Sequence, residues 1–276
     1  MGLLLISGSF LAVTLTGYGS SPAQSEAAQA PAATGRLKTA PADPSGETGK
    51  GMAAIQHAAG AGKYLFAFFS KTDDEQTLAM RKVFDAAMAK AADRAEPVAV
   101  NITDASEKAI VEKFDLTRAP MPLVLAIAPN GAITGGFPAR FEEQQLLDAF
   151  ATPGTEKVIK SLQDGKLVFV CIQNAKTKSN DAAMQGVRDF QADARFAGAT
   201  EIVTLDPADK NEATFLSDLE VSPDIVEATT IFIAPPGQAI GRMEGATSKD
   251  ALLELLSKAS TGCGPGGCGP GGCCPQ

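Results

Sequence analysis

One order of elements occurs twice along this chain, and that repeat constrains the fold more than any single residue does. Residues 63–70 (KYLFAFFS) and 166–173 (KLVFVCIQ) are apolar runs of strand length, each preceded by a short helical stretch at 52–62 and 154–165. Runs of this kind suit strands covered on both faces. In the first half, acids open a helical stretch at 73–93 that carries Leu78, Val83, Phe84 and Met88 at helical spacing. Acids in a first turn favour the positive end of the helix dipole. Residues 97–103 read as a strand, 105–115 as a helix with Ile110, Val111 and Phe114 on one side, 122–128 and 132–137 as strands joined by Pro-Asn-Gly, and 141–150 as a helix. The second half gives helix 180–196, strand 200–206, helix 211–220, strand 229–234, a Pro-Pro-Gly turn, strand 238–244 and helix 248–259. Lys63 matches Lys166 at an offset of 103, and Gly131 matches Gly237 at 106. Two tandem α/β domains of about 105 residues account for both offsets. The expected bounds are 49–152 and 153–260, with Pro153-Gly154 interrupting helix between them.

The totals exclude several functions. A net charge of −8 with no cluster of Lys and Arg disfavours nucleic acid as a partner. His57 is the only histidine, so neither a His-rich metal site nor a Ser-His-Asp triad is expected. The Gly-Lys-Gly stretch at Gly49 and the Gly-Ala-Gly-Lys stretch at Gly60 lack the spacing and the Ser or Thr of a phosphate loop. Asn101-Ile102-Thr103 matches a glycosylation acceptor at a strand end and is treated as noise, and Met80, Met88 and Met184 read as helix packing.

Strand, helix, strand, helix, two hairpin strands and a closing helix is the order of the thioredoxin fold. The segment LTRAPMPLVLAIAPNGAITGGF (116–137) resembles that family's region around its cis-proline. The resemblance covers roughly residues 50–260 and implies two tandem thioredoxin-like domains, each a central mixed sheet flanked by helices. It implies a cis Met121-Pro122 bond at the floor of a groove that exposes backbone groups, with Pro120 a less well placed competitor. Cis bonds are found essentially before proline. The chemistry of the family does not carry over. Its two cysteines begin the helix after the first core strand, where this chain has Asp73-Asp74-Glu75-Gln76. The family's redox power comes from a thiolate at a helix N-terminus, and a carboxylate cannot replace it. Met121, Pro122, Asp73 and Asp74 are therefore groove candidates for holding a protein or peptide, and no catalytic residue is expected. In the second half the proline place falls nearest Thr229, and Cys171 lies inside a strand as a small buried hydrophobe.

The two ends differ from this body. Residues 1–19 resemble a bacterial lipoprotein signal, with Tyr18 where that family carries its lipidated cysteine. Export to the periplasm or cell envelope is expected, with membrane association through the N-terminus but no lipid on Tyr18. Residues 20–48, rich in Ala, Pro, Ser and Gly, read as a flexible linker. Residues 261–276 hold Cys263, Cys268, Cys273 and Cys274 among glycines and prolines that preclude regular structure. Four converging thiolates suit a soft ion such as Cu(I) or Zn(II), and low-coordinate Cu(I) tolerates the irregular spacing better. No resident cofactor is otherwise implied. The alternatives are a thiol-disulfide oxidoreductase that uses the tail cysteines and a non-catalytic adaptor.

Overall fold

The computed structural model describes residues 49–260. The signal-like segment with Tyr18, the linker, and the tail with Cys263, Cys268, Cys273 and Cys274 lie outside the described residues.

The first half runs α1 (Lys50–Gly60), β1 (Tyr64–Ser70), α2 (Glu75–Lys90), β2 (Ala95–Asn101), α3 (Lys108–Lys113), β3 (Leu123–Ile127), β4 (Ile133–Pro138) and α4 (Glu143–Leu147). Its sheet has the order β2-β1-β3-β4, with β1 parallel to β2 and antiparallel to β3. The second half runs α5 (Pro153–Gln163), β5 (Leu167–Ile172), α6 (Asn180–Gln191), β6 (Thr200–Leu205), α7 (Ala213–Asp218), β7 (Thr229–Ala234), β8 (Gln238–Glu244) and α8 (Lys249–Ser260). The order β6-β5-β7-β8 repeats the first sheet, pairing for pairing. Both halves have the thioredoxin-like topology.

The apolar runs become the second strand of each sheet, covered by helices on both faces. Side chains alternate across a strand. Phe66 and Phe68 therefore pack with Phe84, Met88 and Leu146 of α2 and α4, while Leu65, Ala67 and Phe69 pack with Ala58 and Ile110 of α1 and α3. In the second half Val168, Val170 and Ile172 meet Val158, Leu162 and Phe215. Phe169 and Cys171 face Val187, Phe190 and Leu252 instead. Leu78 does not join the core, being 52% exposed. The rotation of α2 is set by Phe84, Ala87 and Met88, and the residue one turn before that face is Thr77. Pro153 does not break a helix but starts one, at the first position of α5 where its missing N–H costs nothing.

A buried carboxylate holds each half together at matching places. Glu107, at the end of the 3-10 turn Ala105–Glu107, accepts the Gly51 N–H at 2.9 Å. Glu212, at the end of the turn Lys210–Glu212, accepts the Gly154 N–H at 2.8 Å. Each amide belongs to the first turn of a helix, where backbone donors lack intrahelical partners. The approach requires glycine. A Cβ on Gly154 would stand 2.6 Å from Leu205 Cδ2 and 2.8 Å from Glu212 Oε1.

The halves meet at the same point. The Tyr64 hydroxyl donates to Glu156 at 2.6 Å and accepts the Ala151 N–H at 2.9 Å. The Gln163 amide brackets Ile133 through its N–H and carbonyl, and within the first half the Arg94 guanidinium lies 3.9 Å from the centre of the Phe150 ring. The Thr152 hydroxyl donates to Glu212. Burial, with the Glu212 charge adding to it, raises the Glu156 carboxyl above the ordinary glutamate value, although the Tyr64 hydroxyl partly opposes this. Tyr64 is itself raised, first by burial and then by Glu156.

Two predictions follow from these contacts. Glu107→Ala and Glu212→Ala each leave a buried amide bare, so each should lower stability by about 1–3 kcal/mol in urea unfolding, with Gln recovering part of the loss. For Glu156 the raised folded value means that ionisation opposes folding. Its favourable contribution is present below the unfolded glutamate value and is lost as pH rises through the folded value. Glu156→Gln should therefore raise the thermal midpoint at neutral pH, and the gain should shrink on acidification toward the ordinary glutamate range.

Candidate functional site

The N-terminus of α2 and the loop before β3 carry the groove candidates that the sequence indicated. Asp74 is the cap of α2, its Oδ1 accepting the Thr77 N–H at 2.8 Å while Oδ2 accepts the Thr72 hydroxyl at 2.9 Å. Those hydrogen bonds, the Thr77 amide first, hold its carboxyl below the ordinary aspartate value. Asp73 is exposed beside it.

The Met121–Pro122 peptide is cis, as the resemblance implied, and Pro120 is not preceded by a cis bond. Pro122 is buried and Met121 partly buried against the β1–β3 core. Two residues unmarked by the sequence reading connect this loop to the helix. The Gln76 side-chain amide donates to the Ala139 carbonyl at 2.9 Å, and the Ala139 N–H donates to the Pro122 carbonyl at 2.7 Å. Ala139 takes a φ of +61°, unusual for a residue with a Cβ. Gln76 had a readable signal, since it lies in the Asp-Asp-Glu-Gln replacement. Ala139 had none, because alanine does not announce a left-handed backbone.

The Gln76–Ala139–Pro122 bonds thus join the start of α2, where Asp74 is the cap, to the loop that carries Met121 and Pro122. Asp74 is engaged as a cap and Gln76 as a tie. Backbone remains: among the described residues, neither the Pro120 carbonyl nor the Met121 N–H or carbonyl has a protein hydrogen-bond partner.

The second half answers differently. Leu123 pairs with Phe69 and Thr229 with Ile172 at matching ends of their ladders. The residue equivalent to Pro122 is therefore Ala228, one place before the expected Thr229. The Gly245 N–H donates to the Ala228 carbonyl as Ala139 does to Pro122. A second cis bond, Pro235–Pro236, lies in the β7–β8 turn and was not expected from the sequence.

Cys171, the only described cysteine, is buried in β5, and burial pushes its thiol up to about 12. No group of three or more His, Cys, Asp or Glu suited to a metal ion occurs among the described residues. His57 lies on the surface, with Nδ1 at 2.8 Å from Glu96.

No protein-family model and no curated protein matches the chain. Similar solved structures include a disulphide isomerase from Xylella fastidiosa Temecula1, 14% identical over 35% of this chain and 82% of that one, with a TM-score of 0.28. The first two thioredoxin domains of Saccharomyces cerevisiae Eps1p are 9% identical over 74% of this chain and 94% of that one, at 0.27. Human ERp44 is 11% identical over 74% of this chain and 55% of that one, at 0.33. The fold assignment rests on the strand order and connections of the two sheets rather than on these scores.

Two outcomes are expected here. Residue-resolved alkylation of the native protein at pH 8 should leave Cys171 unmodified, with labelling only after unfolding. For Asp74, the depressed folded value means stability present above the unfolded aspartate range and lost as pH falls through the folded value. Asp74→Ala should therefore lower the thermal midpoint at neutral pH and remove that part of the acid dependence, whereas Asp74→Asn should keep the cap.

Proposed function

We propose that this chain is an exported binding protein of tandem thioredoxin-like fold that has lost the dithiol centre. Its first-half groove, at Met121 and Pro122, holds a protein or peptide segment. Its tail cysteines, Cys263, Cys268, Cys273 and Cys274, bind a soft metal ion such as Cu(I) or Zn(II), or pair with other thiols. Activity in the cell envelope fits the signal-like segment and the −8 charge, and the acidic balance disfavours nucleic acid.

One observation carries this reading. The frame that joins α2 to the cis-Pro122 loop is intact, but its side chains are carboxylate and amide instead of thiol. An intact frame without its nucleophiles retains shape and backbone donors and acceptors, which are what binding an extended segment needs. Cys171 cannot substitute, because its thiol is buried and its ionisation suppressed.

Insulin reduction driven by dithiothreitol separates binding from catalysis. Neither the full chain nor a chain ending at Ser260 should exceed the dithiothreitol background. Turnover by the shortened chain would mean an electron-transfer site in the body, against the proposal. Turnover by the full chain alone would assign a thiol oxidoreductase to the tail. Anaerobic titration of the reduced full chain with Cu(I) and Zn(II), read by native mass spectrometry, should show stoichiometric uptake that the shortened chain lacks. Equal uptake by both chains, or none, removes the metal role.

A further inference from the structure

The second half contains its own occupant at the place where the first half is open. Between the paired residues Phe69 and Leu123 and the start of α2, the first half has residues 70–74; the second has 173–179 before α6. The two extra residues let the chain fold back across the loop before β7. Lys178 lies beside Glu227 in a parallel bridge. Its N–H donates to the Val226 carbonyl at 2.8 Å, and its carbonyl accepts the Ala228 N–H at 2.9 Å. The Ser179 hydroxyl adds a bond to Glu227 Oε2 at 2.8 Å.

The returning loop is well fixed. Thr177 is buried, its hydroxyl accepting the Asn174 N–H and lying 2.7 Å from Asn180 Oδ1, and Asn180 Nδ2 donates to the Asn174 carbonyl. Asn174 Nδ2 donates in turn to Asp206. Ser179, spent on Glu227, leaves α6 without a side-chain cap, where α2 has Asp74.

The register makes Pro120, Met121 and Pro122 the equivalents of Val226, Glu227 and Ala228. The bridge needs a donor at the third position, which Ala228 has and Pro122 lacks. Loss of the proline and gain of two loop residues are thus one change, read in backbone hydrogen bonds.

We propose that residues 174–179 plug the second-half groove, so that only the first half offers an open edge, at Pro120 and Met121. The occupant of that open edge is a partner segment in extended conformation, whose N–H donates to the Pro120 carbonyl as that of Lys178 does to Val226, without the second bond that only Ala228 can give. The side chain of Lys178 is exposed, so Lys178 itself is held through its backbone, with the Ser179–Glu227 bond beside it. This deepens the groove reading above and rests on it for the first half alone.

The test uses the full chain and a heptapeptide with the sequence of residues 174–180, carrying a photoreactive benzophenone in place of its first lysine. On the wild-type protein, cross-links should fall at 118–123 and be absent from 225–229. Lys178→Pro with Ser179→Ala removes one backbone bond and the Glu227 contact; Ala228→Pro removes the other backbone bond. Each opened variant should label 225–229 about tenfold or more above wild type, since bonds of ordinary net strength hold the plug. Labelling at 225–229 in wild type, or none there in either opened variant, overturns the plug. Absence of labelling at 118–123 in every protein refutes the groove reading while the variants still judge the plug. Hydrogen exchange on the wild-type protein is independent of folding in the variants. The Lys178 and Ala228 amides should be protected together and Met121 should exchange fast; an Ala228 amide as fast as Met121 overturns the proposal.

Discussion

A carboxylate buried against the first turn of a helix is the constraint on which both halves depend. Glu107 and Glu212 are separated from solvent, and each has a helix amide of the half it stabilises within hydrogen-bond distance. Burial of a carboxylate is costly unless its oxygens are satisfied. Here the helix supplies both a donor and the positive end of its dipole. The bond also fixes where α1 and α5 lie against the sheets, and through them the covered face of β1 and β5. In the second half it does more. Glu212 accepts from Thr152 and its charge adds to the burial that raises the Glu156 carboxyl, so the element that anchors α5 also contributes to the electrostatics of the seam with Tyr64.

Much of this architecture was legible because the apolar runs are unambiguous. KYLFAFFS and KLVFVCIQ cannot be half-exposed strands without leaving large side chains in water, so sheets covered on both faces followed. The offset between halves followed as well, since two Lys-led runs and two turn glycines keep nearly the same separation. The segment around Pro122 was legible because proline before a buried strand restricts the backbone in a recognisable way. The carboxylate clamps had a signal that went unused: Asp104 and Asp209 each stand three residues before a glutamate and cap a short turn, at the same offset as the halves.

The rest was hidden for physical reasons. Leu78 fits a helical stripe when spacing alone is counted, but the large side chains Phe84 and Met88 decide the rotation of α2. The proline place in the second half was misplaced by one residue because no proline marked it, and only strand register fixes it at Ala228. The bond from Ala139 to Pro122 and those of Lys178 with Val226 and Ala228 join backbone atoms alone. A sequence read residue by residue has no access to them, since any side chain could stand above the same amide.

The contrast between halves also explains why two copies of one fold need not do the same thing. Two copies of one topology present the same edge twice, and an exposed backbone edge with unpaired donors and acceptors invites unwanted pairing. One way to remove the second edge is to pair it internally, at the cost of ordering a few loop residues. The second half does this with Lys178, and the Asn174–Thr177–Asn180 network offsets the ordering by fixing the loop before it reaches the edge. The first half keeps Pro122, which removes the donor that such a loop would need, and has too short a connection to reach across. Its edge at Pro120 and Met121 therefore has no such internal partner among the described residues.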